Sequence, residues 1–365
     1  MRRKTRNIKI GNIGIGSDYP VSIQSMTNSD TRNVKETLSQ ISELAKLGCQ
    51  IARVAVPDIA SANAIKIIIQ ESLLPIVADI HFDYKLALIS IQNGVHAVRI
   101  NPGNIGAIEN VKAVAEAAGE AGIPIRIGAN TGSLPKEFHI TKNISSKFKK
   151  AELLADALIK SALKQCEILE GFNFKDIKVS LKASDALTTY LAYRNFASIT
   201  NYPLHLGVTE AGTLFSSSVK SSIGIGSLLI NGIGDTIRVS VTGSPLEEIK
   251  IARAILEAAG NREPSPEIVS CPTCARTTAD IIDLTKNVES LIASMKSDGY
   301  CFSPFKIAIM GCAVNGPGEA RDADIGIAGA DGRFVLFRNG QTVKNSYSEA
   351  EAFSLLKEEI LRRKI

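Results

Sequence analysis

A chain of 365 residues, 45% hydrophobic and 22% charged, can bury one large core and a second small one, and its modest Gly and Pro content predicts order almost throughout. With 42 basic against 37 acidic residues, no Trp and no Lys/Arg run interleaved with aromatics, it does not have the composition of a nucleic-acid binder. Its six cysteines are too few for a disulfide scaffold, and the basic start (Arg2, Arg3, Lys4, Arg6) is followed by no apolar run of signal-peptide or membrane-span length, so a soluble, cytoplasmic enzyme or binding protein is expected.

From Val21 to Gly260, short apolar runs alternate with longer amphipathic stretches. Strands are predicted over 21–26, 51–56, 75–80, 97–100, 125–128, 176–181, 203–208 and 236–241. In the first helix Val34, Leu38, Ile41 and Ala45 share one face, Asn33 with Glu36 reads as a capping box and Gly48 as the stop. Helices are predicted in turn over 60–71, 84–93, 108–121, 151–170, 185–199, 214–229 and 245–259. Eight strand–helix units in about 250 residues have the rhythm of a (β/α)8 TIM barrel, with a doubly wound sheet as the alternative.

The stretch 260–266, Gly-Asn-Arg-Glu-Pro-Ser-Pro, reads as a linker, so a barrel domain over 1–262 and a second domain over 263–365 are expected. The second domain reads as strand 267–270, helix 277–295, strand 305–310, a Gly-rich loop, strands 325–328 and 333–338, and helix 348–363, a small α+β module.

That module carries the clustered cysteines. Cys271-Pro-Thr-Cys274 stands where a strand hands over to a helix, and Cys312 ends another strand, so three thiolates can converge on an iron–sulfur cluster. The Gly-rich segment from Gly311 to Glu319 lets backbone approach a bulky group and turn amides toward anionic sulfur, and Glu319 is a carboxylate able to complete the set. Two other readings of the same residues are a thioredoxin-like C-x-x-C pair and a structural zinc site with Cys301 as fourth sulfur. Against zinc, there is no second C-x-x-C; Cys301 is read as a core or surface thiol.

In a closed barrel, chemistry collects at the C-terminal ends of the strands. Arg53, Arg99, Arg126, Lys182 and Arg238 place a cation on strands two, four, five, six and eight, and strand parity aligns Asp79 with His81, Arg99 with Asn101, Arg126 with Asn130, and Arg238 with Ser240. One such Arg is ordinarily a structural ion pair; five together imply a ligand with at least two negative charges, such as a diphosphate held by Arg forks. Asp79, His81 and Glu210 are the acid/base candidates, although Glu210 requires a turn after its strand to face inward. His96, His139 and His205 are singletons, read as ordinary hydrogen-bonded or surface residues.

Taken together, these residues resemble the bacterial 4-hydroxy-3-methylbut-2-enyl diphosphate synthases of the non-mevalonate isoprenoid pathway, over the whole chain. The resemblance is carried by Ser22-Ile-Gln-Ser-Met-Thr27, Ala78-Asp-Ile-His81, Val98-Arg-Ile-Asn-Pro-Gly103, Val208-Thr-Glu-Ala-Gly212, Ser270-Cys-Pro-Thr-Cys-Ala-Arg276 and Met310-Gly-Cys-Ala-Val-Asn-Gly-Pro-Gly-Glu-Ala320. It implies the two-domain form, a [4Fe–4S] cluster on Cys271, Cys274, Cys312 and Glu319, and a homodimer in which one subunit's cluster domain covers the other's barrel mouth. It also implies 2-C-methyl-D-erythritol 2,4-cyclodiphosphate as substrate, reduced by two electrons from flavodoxin or ferredoxin. Glu319, the one oxygen ligand, would mark an exchangeable iron, and Glu210 would donate a proton. The barrel alone also resembles dihydropteroate-synthase-like pterin and methyl-transfer barrels, and a zinc-stabilised binding module on an inert barrel is the non-enzymatic alternative.

Overall fold

The computed structural model describes residues 2–101, 105–134, 136–138, 145–263, 266–277, 279–300, 302–312, 321–330 and 333–363. The chain divides into two compact units, Met1–Arg262 and Glu263–Ile365.

The first unit opens with a hairpin, β1 (Ile8–Ile10) and β2 (Ile13–Ile15), and continues as β3 (Ser22–Met26), α1 (Val34–Lys46), β4 (Ile51–Ala55), α2 (Ile59–Glu71), β5 (Ile76–Asp79), α3 (Tyr84–Gln92), β6 (Ala97–Ile100), α4 (Ile108–Glu120), β7 (Ile125–Asn130), α5 (Lys147–Gly171), β8 (Ile177–Lys182), α6 (Ala186–Ile199), β9 (His205–Leu206), α7 (Leu214–Ser221), α8 (Ser227–Ile230), β10 (Thr236–Ile237) and α9 (Pro245–Ala258). The parallel strands run β8-β7-β6-β5-β4-β3-β10-β9, and a parallel bridge from Val179 to Leu204 brings the two ends together. This is the eight-stranded barrel that the alternation predicted. Asn33, Asp58, Asp83, Ser146, Asp185 and Ser244 start their helices by accepting a backbone N–H of the first turn.

Strand parity divides the barrel into two environments. Ala52, Val54, Ala78, Val98, Ile127, Val179 and Leu206 face outward into one core with the helices. The opposite row begins apolar, with Ile51, Val77 and Ala97 packed on Ile8, Ile10 and Ile15 of the hairpin, which plugs the N-terminal end. Two residues further along each of those strands come Arg53, Asp79 and Arg99. The barrel is therefore greasy at its floor and charged at its mouth.

Three features of this first unit differ from expectation. The hairpin was not foreseen, although Ile-Lys-Ile-Gly-Asn-Ile-Gly-Ile alternates around a Gly-Asn turn. The strands expected over 203–208 and 236–241 pair regularly for only two residues each. The helix expected over 214–229 is interrupted by a π-helical turn, Ser222–Gly226, where Gly224 lies so close to the barrel that an added Cβ would meet Val208 Cγ2 at 2.6 Å.

The second unit comprises β11 (Glu267–Ser270), α10 (Ile281–Ser297), β12 (Lys306–Met310), β13 (Ile325–Ala330), β14 (Arg333–Arg338), β15 (Gln341–Tyr347) and α11 (Glu349–Arg362). Its sheet runs in order β11-β12-β13-β14-β15, the first three parallel and the rest antiparallel. Ile307, Ile309, Ile325 and Ile327 pack one face against Leu284 and Val288 of α10 and Leu356 and Ile360 of α11. The fifth strand is polar at an edge and shows no apolar alternation; its signal is Asn339-Gly340, both at positive φ, the type I′ hairpin turn.

Candidate active site

Register places the cations side by side around the mouth of the barrel. Asp79 pairs with Arg99, and Arg99 with Arg126, across adjacent strands. Asp79 Oδ1 accepts from Arg99 at 3.2 Å, while Oδ2 lies 3.3 Å from His81 Nε2 and 3.9 Å from Arg53. Burial alone would raise the Asp79 carboxyl, but Arg53, the His81 hydrogen bond, Arg99 and Arg126 outweigh it and hold the group far below the ordinary carboxylate range. Its contribution to stability is full above the unfolded value near ~3.9 and is lost as pH falls toward the depressed folded one. Replacing Asp79 with Asn strands several buried guanidiniums, so D79N is expected to lose about 3–5 kcal/mol in denaturant unfolding.

The remaining barrel candidates fall in three settings. Arg126 is buried and faces His205 Nε2 at 3.4 Å; Arg238 is held by Glu248 at 3.0 Å and donates to the Ser240 hydroxyl. Lys182 is buried, and Asn101 is buried beside the end of β6. Asn130 caps the short turn after β7, accepting from the Gly132 N–H at 2.9 Å. Glu210 lies in the loop after β9, exposed, with a left-handed backbone (φ 51°), so the chain does turn there.

Inward-facing glycines make the room these long side chains need. A Cβ on Gly128 would meet Arg99 Nε at 3.2 Å, and one on Gly207 would meet the Arg238 carbonyl at 2.7 Å and Lys182 Nζ at 3.1 Å. Because a carbonyl cannot swing aside, Gly207→Ala is expected to lower stability by roughly 1–3 kcal/mol, read in thermal unfolding.

Several residues of this region escaped sequence reasoning. Met26 supplies a thioether 2.9 Å from Arg53 Nη2, and the buried Glu248 reaches from α9 to Arg238 and to Ser25. His205, read from sequence as an ordinary hydrogen-bonded or surface residue, is a wholly buried neighbour of Arg126; burial, then Arg126, Lys182, Lys178 and Arg53, push its imidazole well down. Lys178 is buried four positions before Lys182, where parity counted backward would have found it. A cavity of about 500 Å³ lies among Leu187, Tyr190, Lys220 and Ile223 of the outer helices and is lined by none of the strand-end cations.

In the second unit, Cys271 and Cys312 follow the neighbouring parallel strands β11 and β12. The Cys271 N–H donates to the Ile309 carbonyl at 3.2 Å, and the Gly311 N–H donates to Cys271 Sγ at 3.2 Å. Cys274 follows Thr273, whose φ is 59°, and its N–H donates to Thr277 Oγ1 at 3.0 Å. Gly311 has to be glycine, since a Cβ would meet Thr277 Oγ1 at 2.8 Å. An amide aimed at sulfur and close glycine backbone suit a thiolate that binds a cluster. Among the described residues no three His, Cys, Asp or Glu side chains are grouped to hold a single metal ion. Glu319, Cys301, His139 and most of the Gly-rich segment, 313–320, lie outside the described residues.

Comparison with known proteins fits both halves of this arrangement. The family model described as GcpE TIM-barrel domain matches residues 5–253, and that described as GcpE protein C-terminal domain matches 267–362. The chain belongs to the GcpE family. Relatives in this family include the 4-hydroxy-3-methylbut-2-en-1-yl diphosphate synthase (flavodoxin) of Clostridium perfringens, 52% identical over 98% of each chain. The protein of the same name from Caldanaerobacter subterraneus subsp. tengcongensis is 51% identical over 98% of this chain and 97% of its own. Among solved structures, dihydropteroate synthase of Yersinia pestis covers 70% of this GcpE-family chain and 99% of its own with a TM-score of 0.50 at 11% identity, a likeness of fold alone. Among the described residues no helix is long and apolar enough to cross a membrane.

Proposed function

We propose that this chain is a 4-hydroxy-3-methylbut-2-enyl diphosphate synthase that reduces 2-C-methyl-D-erythritol 2,4-cyclodiphosphate with electrons from flavodoxin. The observation that carries this reading is the ring of buried Arg53, Arg126 and Lys182 and half-buried Arg99 and Arg238 at the strand ends, in a chain whose full-length relatives bear that enzyme's name. So many desolvated cations beside Asp79 and Glu248 demand an external polyanion, and a cyclic diphosphate is one.

The barrel residues bind and orient. Arg forks take the phosphate oxygens, Asp79 holds Arg53, Arg99 and His81 in place, and Asn101, Asn130 and Ser240 supply neutral hydrogen bonds around the sugar-derived carbons. Glu210, on its exposed turn, is the proton donor to the departing hydroxyl, which leaves as water while the ring C–O bond breaks and two electrons remain in the new alkene. Cys271, Cys274 and Cys312, with Glu319 as fourth ligand, hold a [4Fe–4S] cluster, which when bound supplies those electrons singly. The substrate domain is 1–262 and the cluster domain 263–365, acting as a cytoplasmic homodimer in which each cluster domain serves the partner's barrel.

Anaerobic purification tests this directly: the protein should be brown, contain about four iron atoms per chain, and convert the cyclodiphosphate with a chemical reductant. A colourless protein containing one zinc would overturn it.

A further inference from the structure

Beside Arg126, its register partner on the next strand, lies a sixth cation, Lys178, and its surroundings are unusual. It sits on β8 in the same inward row as Ser180 and Lys182, at 2% exposure, and its Nζ has no hydrogen-bond partner among the described residues. A buried lysine is ordinarily paired, because an unpaired ammonium away from water is costly. Among the described residues no carboxylate is free to pair it. The one that acts on it, Asp235, already accepts from Arg2 at 2.8 Å and Thr5 at 3.2 Å through Oδ1 and from the Leu204 N–H at 2.7 Å through Oδ2. Asp79 is taken by Arg99, His81 and Arg53, and Glu248 by Arg238, the Val241 N–H and Ser25.

The groups facing Lys178 from the surrounding elements are Arg126 on β7, Arg53 on β4, Asp235 before β10 and, through its own ring, His205 on β9. Lys182 is in turn surrounded by Arg126, Arg238, Arg53 and Arg99. Guanidiniums keep their protons, so in this crowd the amines yield first. Burial, then Arg126, drive the Lys178 amine well below its ordinary value, with Asp235 pulling the other way and Arg53 adding a smaller push down.

We propose that Lys178 is a further residue of the anion site, a buried amine that becomes an ammonium when a diphosphate settles among the guanidiniums, so that substrate binding is coupled to proton uptake inside the barrel. The inference rests on the diphosphate reading of the site. Its physical basis is linkage: a dianion placed near the cluster offsets the guanidinium charge that kept the amine neutral, and the amine gains a proton from solvent. Each phosphorus of the cyclic diphosphate carries a single strongly acidic hydroxyl. The ligand is therefore already a dianion, and any proton taken up belongs to the protein. Binding should weaken as pH rises, by roughly tenfold per pH unit for each proton gained.

The test is calorimetric titration of the cyclodiphosphate into the full-length, cluster-bearing protein without an electron donor, at about pH 8, in buffers of different ionisation enthalpy, a pH between the ordinary histidine and lysine values. The parent protein is expected to take up close to one proton or more, and Lys178→Met to take up fewer by at least about half a proton, with Lys178→Gln as a second variant should Met fail to fold. Binding with no proton uptake by the parent protein, or equal uptake in parent and variant, would overturn the proposal. Failure of the parent protein to bind the cyclodiphosphate would overturn the diphosphate reading itself, and this proposal with it.

Discussion

Cys271→Ser protein, purified without air, is expected to lose its iron, its brown colour and all measurable reduction of the cyclodiphosphate. Cys271 follows β11, beside Gly311, whose N–H points at its sulfur, and Ser offers no thiolate in its place. Altering even an outer partner of a metal site costs ~10–100-fold, and removal of a ligand thiolate should exceed that. Because Cys271 lies in the second compact unit, the barrel should keep its fold and its affinity for the cyclodiphosphate. Cys49 provides the contrast. It is a buried barrel thiol pushed up by burial to about 11, and Cys49→Ser should retain its full iron content. Iron and sulfide analysis beside a reductase assay decides between these outcomes; a C271S protein with normal iron would remove Cys271 from the ligand set.

Glu210→Gln is expected to keep the cluster and bind substrate while kcat falls by ~10²–10⁴, the range over which a positioned acid contributes. The backbone at Glu210 is left-handed, a conformation a side chain with a Cβ adopts only when its surroundings hold it there, and such positions gather at reacting centres. Gly212, two residues on, is also left-handed (φ 94°), and its carbonyl accepts from the Thr242 N–H at 2.9 Å, which ties this loop to the one after β10. Gln preserves the shape and removes the proton, so the loss should appear in kcat with KM little changed. Normal turnover by E210Q with intact iron would assign the proton to another group.

Much of this molecule is legible in its sequence. Barrel strands alternate with period two and their helices with period 3.6, so local pattern alone separates inward from outward residues and places Arg53, Asp79, Arg99, Arg126 and Arg238 in the inward row. The spacing of Cys271, Cys274 and Cys312 at strand ends is equally local. The β1–β2 hairpin and the edge strand β15 went unseen for a different reason: each is short, and its turn signal, Gly11-Asn12 or Asn339-Gly340, counts only once a partner strand is known. Glu248 lies in the first turn of α9, where nothing in the sequence sets it apart, and only the packing of that helix over β3 brings it to Ser25 and Arg238.

What sequence by itself determined was the kind of side chain each domain offers, cations at the strand ends that suit an anion and grouped thiols that suit iron–sulfur or zinc, because residue type and strand parity are local properties. Which cation is paired and which is left alone was decided by tertiary structure. Arg99 and Lys178 are both inward-facing bases, yet Asp79 reaches the first, while Asp235 is already engaged by Arg2, Thr5 and Leu204. Pairing depends on register between strands far apart in the chain, and on closure of the barrel, which put a buried lysine where none of the described carboxylates is free to meet it.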